Sequence, residues 1–271
     1  MYKLLALDLD GTLLNQENQI SAQNINAVKR VIHQHGTVVL CSARPVRAIA
    51  AVIRNTELEY LIRYFISFNG AWIYDAVEKK DIRFMPLRRP RPDVKNVITM
   101  LAENEFKHHF FTRDNMISSL KDISVHTRYE SQLFAMELAF VEPKDIIQRD
   151  DIVKVSIVGS TDFIDNIANK IDERFHRQYS LSKTSCHYYE IMRQGITKGE
   201  ALHYLSRHLN IGSQSVVSMG DQENDISMFQ FSAVGVAMGN ASDFVKSCAD
   251  KVSQDNNHHG VAFAINQLWP L

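Results

Sequence analysis

Asp8 and Asp10 close the apolar run in "LLALDLDGTLLN" (residues 4–15), with Gly11 and Thr12 directly behind them. Two like charges one residue apart at a buried strand end repel each other. Burial raises the pKa of at least one of them unless a cation sits between. Other polar residues follow similar apolar runs: Ser42 after "TVVLC", Asp221 after "SVVSMG", and the Asn224–Asp225 pair just beyond. Lys198 stands at the head of "TKGEALHYL". Carboxylates facing one gap suit a hard cation such as Mg2+, which takes oxygen ligands and keeps several waters. A lysine and a hydroxyl beside that cation suit a phosphoryl group, whose oxygens carry the charge during transfer. One carboxylate can then act as nucleophile and another as general acid/base. Taken singly, each feature has a plainer reading. Asp-x-Asp is commonly a turn, Ser42 a helix cap, Lys198 a surface lysine, and "GDQEND" an acidic turn without the alternating ligands of an EF-hand. The chemistry rests on convergence.

Convergence requires a scaffold, and the flanking elements supply one. "KLLAL" and "TVVLC" are short apolar runs suited to buried strands. Between them "SAQNINAVKRVIHQHG" has Ser21 as N-cap and Ile25, Val28, Val31 and Ile32 at helical spacing. "YFISFNGAWIYD" carries an Asn-Gly hairpin signal, and the last third of the chain returns to strand–helix–strand alternation. This pattern predicts an α/β fold with a doubly wound, Rossmann-like parallel-sheet core, its strand carboxyl ends on one edge where ligands bind. The middle differs. "RRPRP" (88–92) reads as a solvated connection, followed by a helix in "VKNVITMLAEN" and strands in "HHFFTR", "MELAFV" and "IVKVSIVG". "STDFIDNIANKIDERF" reads as one helix, and strand pieces in "YSLSKTSCHYYEIM" close the segment. The expected organisation is a core of residues 1–83 and 188–271 interrupted by an inserted α+β domain at 84–187.

The bulk properties exclude several function classes. A hydrophobic content of 45% over 271 residues supports a full core, and a net charge of −1 shows no bias towards nucleic acid or membrane. No apolar run spans a bilayer, and the early charged strand end argues against a signal peptide. Cys41, Cys186 and Cys248 lack metal-ligand spacing and read as reduced thiols of a soluble cytoplasmic protein. Monomer and homodimer both stay open.

At these residues the chain resembles the haloacid dehalogenase superfamily of phosphohydrolases. "DLDGT" resembles its first motif, which implies Asp8 as nucleophile and Asp10 as general acid/base. "CSARP" resembles the second, with Ser42-Ala43-Arg44 where a Thr-Gly-Arg core is usual. "GITKGEAL" puts the third-motif lysine at Lys198, and "GDQENDISM" matches the fourth, with Asp221 as metal ligand and Asn224 and Asp225 as its supporting pair. "FNGAWIYD", "EIMRQGITKG", "VAMGNA" and "ADKVSQDNNHHGVAFAI" resemble the Cof-type subfamily, whose large α/β cap is inserted where the 84–187 segment lies. His258 and His259 stand where that subfamily usually has acidic residues; adjacent histidines seldom converge on one ion and are left out of the site.

The resemblance implies a Mg2+-dependent phosphatase of small phosphate esters acting through an aspartyl phosphate. Asp8, Asp221 and the backbone carbonyl of Asp10 would hold the metal. Ser42, Ala43, Lys198 and Asn224 would bind phosphate, and Asp225 would orient Lys198 or a metal-bound water. Sugar phosphates, pyridoxal phosphate and flavin mononucleotide are the implied substrate classes. The alternatives are a phosphomutase or phosphotransferase, and a silent phosphometabolite-binding protein.

Overall fold

The computed structural model describes residues 2–87 and 94–269, so the "RRPRP" connection lies outside the described residues. In chain order the first elements are β1 (Leu4–Asp8), α1 (Ala22–His33), β2 (Thr37–Cys41), α2 (Val46–Ile53), β3 (Tyr64–Ser67), β4 (Trp72–Asp75) and β5 (Lys80–Phe84). Next come α3 (Val94–Glu103), β6 (His108–Phe111), β7 (Met116–Ser118), α4 (Val125–Leu133), β8 (Leu138–Phe140), α5 (Pro143–Ile146) and β9 (Lys154–Val158). They are followed by α6 (Thr161–Asn166), α7 (Glu173–Gln178), β10 (Tyr179–Ser185) and β11 (Tyr188–Arg193). The chain ends with α8 (Lys198–His208), β12 (Val216–Gly220), α9 (Ile226–Phe231), β13 (Val234–Ala237), α10 (Asp243–Ser247), β14 (Lys251–Val252) and α11 (Gly260–Leu268). Two compact units result, Met1–Phe84 with Thr197–Leu271, and Met85–Ile196. The later boundary falls beyond 187 because β11 belongs to the second sheet, where Glu190 pairs with Ser182 of β10 and Ser156 of β9.

The first unit is built on an eight-stranded sheet in the order β14-β13-β12-β1-β2-β3-β4-β5. Strands β14 to β3 run parallel, and β3-β4-β5 form an antiparallel edge. β1 is central and buried along its whole length, which explains its unbroken apolar run. Its alternate side chains enter different cores. Leu5 and Leu7 pack with Val28 and Val31 of α1 and Ile265 of α11, whereas Leu4 and Ala6 pack with Ala201, Leu202 and Leu205 of α8. Each buried leucine contributes about 1.5–3 kcal/mol. Ser21 caps α1, its Oγ accepting from the Asn24 N–H at 3.3 Å. The registers Leu7↔Met219 and Asp8↔Cys41 bring the carboxyl ends of β12, β1 and β2 side by side.

The second unit has a six-stranded sheet, β10-β11-β9-β6-β7-β8, antiparallel except for β7–β8. Phe110, Val155, Ile157 and Ile191 share a core with Val97 and Leu101 of α3 and Ile164 of α6. The single helix expected over "STDFIDNIANKIDERF" is broken. Ile171 is buried and extended (φ −97°, ψ 127°), and the Asp172 carboxylate starts α7 by accepting from the Arg174 N–H at 2.7 Å. A local N-cap won over helical continuity. β7 and α4 were not legible in the sequence: β7 is three residues long, and α4 buries only Thr127 and Glu130, so it has no apolar stripe to read. Among the described residues no helix is long and apolar enough to cross a membrane.

Candidate active site

Asp8 is delivered by the buried end of β1 and is itself only 5% exposed. Lys198 is the first residue of α8, whose preceding Thr197 caps the helix by accepting from the Glu200 N–H at 3.1 Å. Lys198 Nζ donates to Asp8 Oδ1 and to Asp225 Oδ1, both at 2.6 Å. The other Asp225 oxygen accepts from the backbone N–H groups of Asp221 and Gln222, each at 3.0 Å. Asp221, just past β12, accepts at Oδ1 from the Thr12 hydroxyl (3.0 Å) and at Oδ2 from Gln222 Nε2 (3.1 Å) and Asn240 Nδ2 (3.3 Å). Gly11 passes close by with φ +78°. A Cβ there would stand 2.3 Å from Asp221 Oδ2, so this turn excludes any side chain.

Oxygens of Asp8, Asp221 and Asp225 lie within 4.8 Å of one another, all three residues buried. With all groups ionised, three carboxylates and one ammonium leave two uncompensated negative charges. The proton equilibria register that excess. Burial pushes the Asp8 carboxyl well above its ordinary range, Lys198 opposes the rise, and Asp225, Asp221 and Asp10 reinforce it. Burial and then Asp225 raise Asp221 to about 6, partly offset by the Thr12 and Gln222 hydrogen bonds. Burial alone would lower the Lys198 ammonium, but Asp225 and Asp8 hold it far above the usual lysine value. A cluster of hard oxygen donors with this charge deficit fits a divalent cation.

The remaining expected residues sit around this centre. Asp10 is outside the carboxylate cluster. Its side chain turns to Arg44, whose Nε donates to Oδ2 at 2.8 Å and whose other arm pairs with Oδ1. Ser42 is buried behind β2, its Oγ accepting from the Arg44 N–H at 3.1 Å, and Ala43 between them is half-buried. Asn224 Nδ2 donates to Asn69 Oδ1 at 2.9 Å. His258 pairs with Asp255 at 2.7 Å and His259 Nδ1 meets Ser21 Oγ at 3.0 Å, so both histidines have partners away from the carboxylates. Sequence reasoning gave no site role to Thr12, Arg44, Asn69 or Asn240. Each lies inside a stretch that was read for another purpose: "DGT" and "CSARP" for their neighbours, "FNGA" as a hairpin turn, and "VAMGNA" for the family resemblance.

Comparison with known proteins agrees with this architecture. Residues 5–265 match the family model of the haloacid dehalogenase-like hydrolases. The putative phosphatase YxeH of Bacillus subtilis is 30% identical over 99% of this chain and 98% of its own. The 5-amino-6-(5-phospho-D-ribitylamino)uracil phosphatase YitU of the same organism is 26% identical over 99% of this chain and 98% of its own. The crystal structure of a haloacid dehalogenase-like hydrolase from Bacteroides thetaiotaomicron superposes with a TM-score of 0.85 at 26% identity, covering 99% of this chain and 100% of that one. The chain belongs to the haloacid dehalogenase-like hydrolases, among their Cof-type phosphatases. It is accordingly an enzyme that hydrolyses phosphoric monoesters.

Proposed function

We propose that the protein is a Mg2+-dependent phosphatase of small phosphorylated metabolites that works through an aspartyl phosphate on Asp8. The observation that carries this reading is the Lys198 ammonium shared between Asp8 and Asp225, with Asp221 in the same carboxylate cluster. Mg2+ held by Asp8, Asp221 and the Asp10 carbonyl would neutralise phosphoryl oxygens that otherwise repel the Asp8 anion. Asp8 attacks phosphorus, and the bond to the leaving oxygen breaks as the Asp8–phosphorus bond forms. Protonated Asp10 gives its proton to that oxygen. Asp10 then takes a proton from water, whose oxygen attacks phosphorus, and the Asp8–phosphorus bond breaks to release phosphate and restore Asp8. Ser42, the backbone of Ala43, Lys198 and Asn224 hold the phosphoryl oxygens, where the transition-state charge is concentrated. Asp225 orients Lys198 through their 2.6 Å contact.

Selectivity for the leaving group belongs to the second unit, Met85–Ile196, as the inserted cap. The name of YitU, a phosphatase of a phosphorylated ribitylamino-pyrimidine, supports sugar phosphates and phosphorylated cofactors as the substrate class. Unpaired Cys41, Cys186 and Cys248 support a reducing, cytoplasmic setting. The test is a phosphate-release screen over sugar phosphates, pyridoxal phosphate and flavin mononucleotide, with Mg2+ and after chelation. Free phosphate without an added acceptor, lost on chelation, is the expected result. Phosphate transfer only to an added alcohol would assign a phosphotransferase instead. Silence across the panel would favour a binding protein.

A further inference from the structure

The turn between β3 and β4 holds two consecutive non-glycine residues in the left-handed region, Phe68 at φ 49° and Asn69 at φ 52°. Asparagine tolerates this conformation. For a bulky phenylalanine it is an outlier, a strain of about 1–3 kcal/mol that persists only when the surroundings over-determine it. The surroundings here are the loops of the site. The Phe68 N–H donates to the Arg44 carbonyl at 3.2 Å, the Asn69 N–H to the Ser42 carbonyl at 3.0 Å, and the Ser67 hydroxyl to the Arg44 carbonyl at 2.7 Å. Gly70 (φ +108°) lies against the residue that caps α8, for a Cβ would stand 2.3 Å from the Thr197 carbonyl oxygen. One three-residue turn thus touches the segments carrying Ser42, Lys198 and, through the Asn69 side chain, Asn224.

Asn69 is 4% exposed, and its Oδ1 accepts from Asn224 Nδ2 at 2.9 Å. Asn224 Oδ1 is buried and meets no donor, so the bond to Asn69 sets the rotation of the Asn224 amide. That rotation matters because the two ends of an amide are opposite in sign. Nδ2 offers N–H donors to an anion, whereas Oδ1 would repel it, and the terminal torsion of asparagine is broad when unrestrained.

We infer that Asn69 is a positioning residue: it fixes the Asn224 amide so that the second Nδ2 hydrogen is presented to the phosphoryl group. The strained turn serves to place it there. The inference rests on Asn224 as a phosphate contact and adds the residue that makes it one.

Asn69→Gly is the test variant, since glycine keeps the left-handed backbone without steric cost and deletes the amide. The probe is inorganic phosphate titrated calorimetrically into Mg2+-saturated protein, for Asn69→Gly, Asn224→Ala and the double variant. Asn69→Gly should bind phosphate roughly 2–10-fold more weakly, the effect of one neutral hydrogen bond. It should weaken binding no further in the Asn224→Ala background. Additive losses in the two variants would mean that Asn69 does not act through Asn224 and would overturn the inference. So would unchanged affinity in Asn69→Gly beside a loss in Asn224→Ala. If Asn224→Ala itself leaves phosphate affinity unchanged, the reading of Asn224 fails and the inference with it. Asn69→Ser, too short to reach Asn224, supplies the same comparison should the glycine variant not fold.

Discussion

Asp8 and Asp10 are two residues apart in the chain and in opposite surroundings. The Asp8 side chain is buried and bound by Lys198, whereas that of Asp10 is 53% exposed and gripped by Arg44. The strand end produces the contrast. Leu9, fully buried, anchors the chain between them, so Asp8 stays in the interior and Asp10 reaches the surface. A nucleophile benefits from being stripped of water and held in one place, and a group that exchanges protons benefits from access to solvent.

The proposed division of labour is measurable. Asp8→Asn should abolish turnover of every phosphate ester, whatever its leaving group. Asp10→Asn should slow alkyl phosphates by about 10²–10⁴-fold, the usual worth of general acid–base catalysis. Formation of the intermediate from p-nitrophenyl phosphate should suffer much less, because p-nitrophenolate leaves without a proton. Rapid-quench labelling with radioactive ester should find phosphate accumulating on Asp8 of the Asp10→Asn variant. Absence of label there, or equal defects for both leaving groups, would show the roles to be misassigned.

Beside its proposed chemical role, Lys198 compensates buried charge. Lys198→Met removes the ammonium that bonds both Asp8 and Asp225 and leaves their buried charges uncompensated. Breaking one side of a buried ion pair costs about 3–5 kcal/mol. Urea denaturation of metal-free protein should show a loss of that order, and added Mg2+ should recover part of it. A midpoint equal to that of the unaltered protein would contradict the arrangement.

Much of this site was legible because its members stand at strand ends. The apolar runs before Asp8, Ser42 and Asp221 announced buried parallel strands, and topology alone then gathers their carboxyl ends. Lys198 was legible from the helical run it begins. Thr12, Arg44, Asn69 and Asn240 were not, since loop residues carry no periodicity and their value lies in partners 19 to more than 200 positions away. The side chain of Asp10 illustrates the limit. Sequence spacing places it beside Asp8, but the preference of a guanidinium for a bidentate carboxylate takes it to Arg44.

The second unit offers a test of its own. Lys154 and Glu190 form an ion pair with both side chains almost fully buried, and Lys154 also lies over the Phe111 ring, 4.4 Å from its centroid. Burial pushes the Glu190 carboxyl up, and Lys154 opposes that rise. Glu190→Leu and Lys154→Met should each destabilise by about 3–5 kcal/mol, whereas the double replacement should recover most of the loss. Denaturation of the four proteins gives the coupling directly. Losses that simply add would show that the two groups do not compensate each other.

Metal affinity and stability should be linked through pH with a definite sign. Asp221 has its carboxyl raised from 3.8 to about 6 by burial and by Asp225, and Asp8 is displaced in the same direction. Between those values the native metal-free protein retains a proton that the unfolded chain has lost. The native state thus binds more protons there, and stability contributed by these groups falls as pH rises through the window. Above it Asp221 is ionised and the cluster gains more from a cation. Below it Mg2+ must displace protons and binds weakly. Thermal unfolding in chelator and in saturating Mg2+, followed from about pH 5 to about pH 8, isolates the effect as the difference between two curves. That difference should be small at the acid end and grow towards neutrality. A gain in Tm that is constant across the range would mean that Asp221 and Asp8 do not titrate with the metal, and that the cation binds elsewhere.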